Sequence, residues 1–197
     1  MKHMTKYFGI KIFFTILFLI PGVNIFSQIN HEDSTGYFEY LKLNISLGND
    51  IRGKTVSGFN ANSKNGALFT DTDLRSKITF INFWFEACAP CLAEFQALEK
   101  FYNKNKSREN FQFVSVTFEA DSTIEQIRKK NNLSYPIYHL SIDSCRKIIG
   151  RLGYPATFIV NKNLEIVYAT GGGPTDPKIA DKYLNYFVQA ELVKQLK

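Results

Sequence analysis

Ile78-Thr-Phe-Ile-Asn-Phe-Trp-Phe-Glu-Ala-Cys88-Ala-Pro-Cys91-Leu-Ala-Glu94 decides the reading of this chain. The nearly unbroken apolar, β-branched and aromatic run from Ile78 to Phe85 predicts a buried strand. It ends at two cysteines separated by two residues, and a helical pattern begins at once, with Cys91, Phe95, Leu98 and Tyr102 on one face. This arrangement predicts Cys88 as an exposed thiolate at a helix N-terminus. Unpaired N–H groups and the helix dipole stabilise such a charge. Cys91 falls one turn inside, within reach of a mixed disulfide on Cys88. Pro90 fits the first turn without costing a needed donor. The alternatives are an inert structural disulfide and half of a zinc site. Zinc needs two further ligands, and Cys145, His139 and His31 lack paired spacing, so no metal is expected.

Working outward, three cysteines among 197 residues do not make an even structural framework, and a chain of this length has no need of one. A close pair plus a distant third argues for redox work by the pair. Residues 1–27 read as a signal peptide: Lys2, Lys6 and Lys11, then the apolar Ile12–Val23, then Ser27 at a cleavage point. That apolar run of about a dozen residues is shorter than the ~20 that span a bilayer. Membrane contact is therefore expected only through this segment, if it stays uncleaved, and the rest is expected in the periplasm or cell envelope. The formal charge of +6 falls to +3 without those lysines, and no dense basic run remains, which speaks against nucleic-acid binding.

Residues 28–54 form an N-terminal extension in which Leu41–Leu47 alternates as a half-buried strand does. Thr55–Phe59 and Ala67–Thr70 flank a turn signal at Asn65-Gly66, and Thr72–Ser76 reads as a polar turn. Beyond the cysteine helix, Phe111–Phe118 is a second apolar strand. Ser122-Thr-Ile-Glu125 has the form of a capping box for a helix reaching about Leu133. Tyr135–Leu140 reads as a short strand. Asp143 or Ser144 is positioned to cap a helix with Cys145, Ile148, Ile149 and Leu152 on one face. Ala156–Asn161 and Glu165–Ala169 are strands, Gly171–Pro174 is a turn, and Asp176-Pro177 opens a terminal helix. This order predicts an α/β three-layer sandwich with a mixed central sheet.

Asn82-Phe-Trp84, Cys88-Ala-Pro-Cys91-Leu-Ala-Glu94 and Gly153-Tyr-Pro155-Ala-Thr-Phe-Ile-Val160 together resemble the thioredoxin-fold, exported thiol–disulfide oxidoreductases of the TlpA/ResA type. The likeness covers residues 55–197, the expected thioredoxin-like domain, with Asp121–Gly150 resembling the family's central insertion. It implies dithiol exchange at Cys88 and Cys91 with protein disulfides as clients, a membrane thiol-electron donor, and in several relatives a part in cytochrome c maturation. No cofactor is implied beyond the redox-active disulfide. The resemblance makes Pro155 a cis-proline facing the cysteines, and it places Trp84, Ala89, Pro90, Tyr154 and Pro155 at the client-binding edge. Glu94 matches a glutamate beside the buried cysteine, where burial would raise its pKa and let it take the Cys91 proton.

Two positions depart from the family. Ala87 stands where a Trp is usual, which opens the surface around Cys88, and Tyr154 makes the client edge bulkier. Ala89-Pro90 adds no positive charge and Glu86 adds a negative one, which favours a reducing protein. Cys145, in an apolar stripe, reads as a buried hydrophobe, and His139 as structural. A thiol peroxidase of the peroxiredoxin type would share the fold, but it usually has Thr where Phe85 stands. A copper-handling thioredoxin-fold protein would want a CxxxC spacing and a downstream His.

Overall fold

The computed structural model describes residues 46–63, 66–75 and 77–197. The expected signal peptide, most of the N-terminal extension and Asn65 lie outside them. Seven strands are described: β1 (Asn60–Ser63), β2 (Leu68–Thr70), β3 (Ile78–Trp84), β4 (Phe111–Thr117), β5 (Ile137–His139), β6 (Ala156–Val160) and β7 (Ile166–Gly171). They form one mixed sheet in the order β2-β1-β5-β4-β3-β6-β7. β3, β4 and β5 run parallel, and every other pairing is antiparallel.

Alternation along the central strands divides the core in two. Phe80 and Trp84 of β3, with Phe111 and Phe113 of β4, face one layer. That layer holds the helix Ala89–Asn105 through Phe95, Leu98 and Phe101, the helix Asp121–Asn131 through Ile124 and Ile127, and the C-terminal helix through Tyr183, Leu184, Val188 and Leu192. Ile81 and Phe83 of β3, with Val114 and Val116 of β4, face the other layer, where Cys145, Ile149 and Leu152 pack. Both faces of β3 are covered, which explains its nearly continuous apolar sequence. The expected three-layer mixed α/β sandwich is the observed one.

Local chemistry moved several boundaries. Ser46–Asn49 form a helical turn where the end of the alternating strand was expected; Leu41–Ile45 lie outside the described residues. The chain then runs along β7. Gly53 N donates to Ile166 O, Ile166 N to Lys54 O, and Val56 N to Leu164 O, so the sheet edge is occupied. The first hairpin strand is Asn60–Ser63 instead of Thr55–Phe59. Its turn closes through Gly66, at φ 74°, whose N–H donates to Ser63 O. Asp71–Leu74, overlapping the turn expected at Thr72–Ser76, is a short helix because Thr70 and Asp73 form a reciprocal capping box. The box expected at Ser122–Glu125 does not form: Ala120 is the N-cap and makes no side-chain cap bond. Ser141, two residues before Asp143, caps the helix Ile142–Ile149 by accepting from Ser144 N. The C-terminal helix is not uniform. It runs as an α-helix over Pro177–Lys182, widens to a π-helix over Tyr183–Val188, and closes as an α-helix over Gln189–Gln195.

Candidate active site

Strand β3 ends at Trp84 in the sheet centre, and four residues later the helix Ala89–Asn105 begins with Cys88 as its N-cap. Cys88 and Cys91 are joined in a disulfide, with Cα atoms 5.2 Å apart. Cys88 Sγ accepts from the backbone N–H of Cys91 at 3.2 Å. That bond is how a helix N-terminus would hold a thiolate at this sulfur. Cys88 was expected to be exposed; closed against Cys91, it is 4% accessible. Ala89 is exposed and Pro90 half-buried in the first helical turn.

Pro155 precedes Ala156, which pairs with Phe83 near the end of β3, so the sheet register carries the proline to the root of the cysteine loop. The Tyr154–Pro155 bond is cis, as the resemblance implies. The Pro155 carbonyl accepts from Gly172 N at 2.7 Å, which ties this loop to the end of β7.

Tyr154, expected to make the client edge bulkier, is half-buried. Its hydroxyl is buried beside the Cys145 thiol, and its ring meets Phe85 edge-on at 5.2 Å. Burial pushes the Tyr154 phenol up, and it pushes the Cys145 thiol up to about 11. Phe118 stacks on Phe85 at 5.9 Å, so aromatic rings flank the end of β3 although Ala87 itself is exposed. Glu119 accepts from Glu86 N at 2.8 Å and pins the loop from the end of β4.

Trp84 corrects another expectation. At 0% exposure it has no face to offer a client. Its ring packs edge-on against Phe95 at 5.2 Å, and Nε1–H donates to Ser115 Oγ at 2.8 Å. It is a wedge between sheet and cysteine helix, and its place in an apolar strand was the signal for that role.

Glu94, one turn beyond Cys91, is 1% exposed. Burial raises its carboxyl from the ordinary value of 4.5 up to about 8, opposed by a side-chain hydrogen bond from Asn82. Among the described residues, neither Glu94 Oε2 nor Asn82 Oδ1 finds a donor. A proton on Glu94 would supply one, in keeping with a carboxyl that is neutral at pH 7. The site therefore joins a dithiol couple to a buried acid able to exchange one proton near neutrality.

Residues 52–169 match the AhpC/TSA family. The thiol-disulfide oxidoreductase ResA of Halalkalibacterium halodurans is 30% identical over 113 residues, a match spanning 55% of this chain and 62% of that protein. ResA of Bacillus subtilis is 27% identical over 143 residues, spanning 71% of this chain and 77% of that one. Among solved structures, a thioredoxin-family thiol:disulfide interchange protein of Chlorobium tepidum aligns with a TM-score of 0.57 at 19% identity, covering 74% of this chain and 98% of its own. StoA of B. subtilis aligns at 0.52 and 22% identity, covering 66% and 98%. These two likenesses carry the thioredoxin-like fold.

Proposed function

Because the chain belongs to the AhpC/TSA family, we propose that its cysteine couple works as a thiol–disulfide oxidoreductase that reduces protein disulfides. The observation that carries this reading is the Cys88–Cys91 disulfide at a helix N-terminus, with Glu94 buried one turn behind it.

In the reduced protein, the Cys88 thiolate attacks one sulfur of a client disulfide. A Cys88–client bond forms, and the other client sulfur leaves as a thiolate and takes a proton from water. In the fraction of molecules whose Glu94 is ionised, Cys91 then gives that carboxylate its proton and attacks Cys88 Sγ. The mixed disulfide breaks, Cys88–Cys91 forms, and the second client sulfur leaves. Two electrons pass to the client, and a dithiol donor returns them. The couple carries both electrons, so no bound cofactor is required.

Ala89 and Pro90 leave the loop without positive charge, and Glu86 adds negative charge; both support the reducing direction. The N-terminal lysines and apolar run support export to the periplasm or cell envelope. In such a compartment a membrane thiol-electron donor must restore the dithiol, and cytochrome c maturation is the process in which clients are to be sought. Ala89, Pro90, Tyr154 and Pro155 form the client edge in this reading, with Trp84 supporting it from beneath.

The test is equilibration in graded mixtures of reduced and oxidised dithiothreitol, followed by the fluorescence of Trp84, the chain's one tryptophan. A single reversible two-electron transition that is lost in Cys91→Ser supports the proposal. A Cys88–Cys91 bond that no dithiol opens in the folded protein refutes it.

A further inference from the structure

The sheet face beneath the cysteine helix is apolar along most of its length, with Ile78, Phe80 and Trp84 on β3 and Ile159 on β6. One level breaks the pattern. Asn82 of β3 stands directly opposite Thr157 of β6, and Thr157 directly opposite Thr170 of β7. All three are buried. Asn82 Nδ2 reaches Thr157 Oγ1 at 3.5 Å, and Asn82 also engages Glu94. At the far end of the row, the Tyr183 hydroxyl engages Thr170 and lies 2.7 Å from the Tyr168 hydroxyl, both rings being buried. Tyr183 is the first residue of the π-helical stretch, a departure from α geometry that often accompanies function.

A buried row of side-chain dipoles is costly unless its members satisfy one another or a charge. Three strands and one helix each contribute polar groups at a single level, and the ionisable carboxyl lying over that level is Glu94. We propose that Asn82, Thr157, Thr170 and Tyr183 are positioning residues: a polar floor that lets the buried Glu94 ionise and so exchange a proton with Cys91. This inference rests on the proton role given to Glu94 above.

The titratable groups that act on this region are Cys91 on Glu94's own helix, Tyr135 ahead of β5, Tyr168 on β7 and Tyr183 on the C-terminal helix. Each of the three tyrosines feels the Glu94 charge, which raises its phenol further. The Tyr168 ring also lies under Arg52, 5.6 Å from its centroid, and Arg52 is 4.0 Å from Glu191. The tyrosines stay neutral and act as dipoles, and removing a dipole that favours the carboxylate raises the pH at which Glu94 ionises.

The experiment mixes the reduced protein with a large excess of oxidised glutathione, so that resolution of the Cys88–glutathione mixed disulfide by Cys91 limits the rate. Closure of Cys88–Cys91 is followed from pH 5 to 10 by stopped flow, in wild type, Thr170→Val, Tyr183→Phe and Glu94→Gln. The midpoint belongs to the coupled Glu94–Cys91 pair. In Thr170→Val and Tyr183→Phe it should move upward by about half a pH unit or more, with the plateau rate at high pH retained. A packing defect would lower the rate without moving the midpoint. Profiles in folded Thr170→Val and Tyr183→Phe that keep the wild-type midpoint would overturn the polar floor and leave the proton role of Glu94 standing. A Glu94→Gln profile identical to wild type would refute that role, and the polar floor with it.

Discussion

Gly173 lies against the end of Glu94: a Cβ on Gly173 would fall 2.7 Å from Glu94 Oε1 and 2.9 Å from Pro155 Cγ. The loop after β7 therefore bounds both the buried acid and the proline that faces the cysteine loop. Its missing side chain is the space in which they meet.

Gly173→Ala is predicted to force these neighbours apart and to cost about 1–3 kcal/mol of stability by chemical denaturation. Gly171→Ala should cost more. There the added Cβ would lie 2.0 Å from the Leu152 backbone oxygen, which cannot turn aside as a carboxylate end can. Equal, negligible losses in both variants would contradict the packing described for this loop.

The ionisation of Glu94 gives stability a pH dependence of fixed sign. With a folded value of about 8 against an ordinary 4.5, the unfolded chain releases this proton first as pH rises. The folded state binds more protons in that window, so the contribution of Glu94 is fully present below pH 4.5 and is lost as pH rises towards 8. In the oxidised protein, Glu94→Gln should therefore gain stability relative to wild type between those limits, by roughly 2–4 kcal/mol. Urea midpoints at pH 5 and pH 8 measure it. A difference between the two proteins that is unchanged with pH would contradict the buried, neutral acid.

Trp84→Phe should act on stability and leave client capture intact. It strands the buried Ser115 Oγ and opens a void beneath the cysteine helix. A loss of about 2–4 kcal/mol is expected. A stable variant that no longer captures clients would return Trp84 to the client edge.

Cys145 should be inert. Its thiol is buried, raised to about 11, and bonded weakly to the Leu140 carbonyl at 3.6 Å. In the reduced, folded protein at pH 8, iodoacetamide should label Cys88 and leave Cys145 unmodified in intact-mass spectra until denaturant is added. Labelling of Cys145 as fast as Cys88 would contradict its packing.

Much of this fold could be read from the chain because the informative residues report on their own surroundings. The run from Ile78 to Trp84 is mostly apolar on both sides, as a strand covered on both faces must be, and Cys88–Cys91 stands where a strand hands over to a helix. Other features depend on partners far along the sequence. Asp143 and Ser144 are good caps on paper, yet the path of the chain makes Ser141 the cap instead. Leu41–Leu47 alternates like a strand, yet its described end is a helical turn beside β7. Asn82, Thr157 and Thr170 are unremarkable singly, and sheet register alone aligns them. Gly173 carried no signal, because its constraint comes from Glu94 and Pro155 across the loop.

Dithiol exchange at this site requires that Cys88 attacks and Cys91 resolves. Cys91→Ser, produced with its N-terminal segment in its native cell envelope, tests it by non-reducing separation and mass spectrometry of the adducts. Client proteins joined through Cys88 and released by dithiothreitol are expected, with none captured by Cys88→Ser. Adducts of equal abundance on Cys88→Ser, or none on a folded Cys91→Ser, would contradict it.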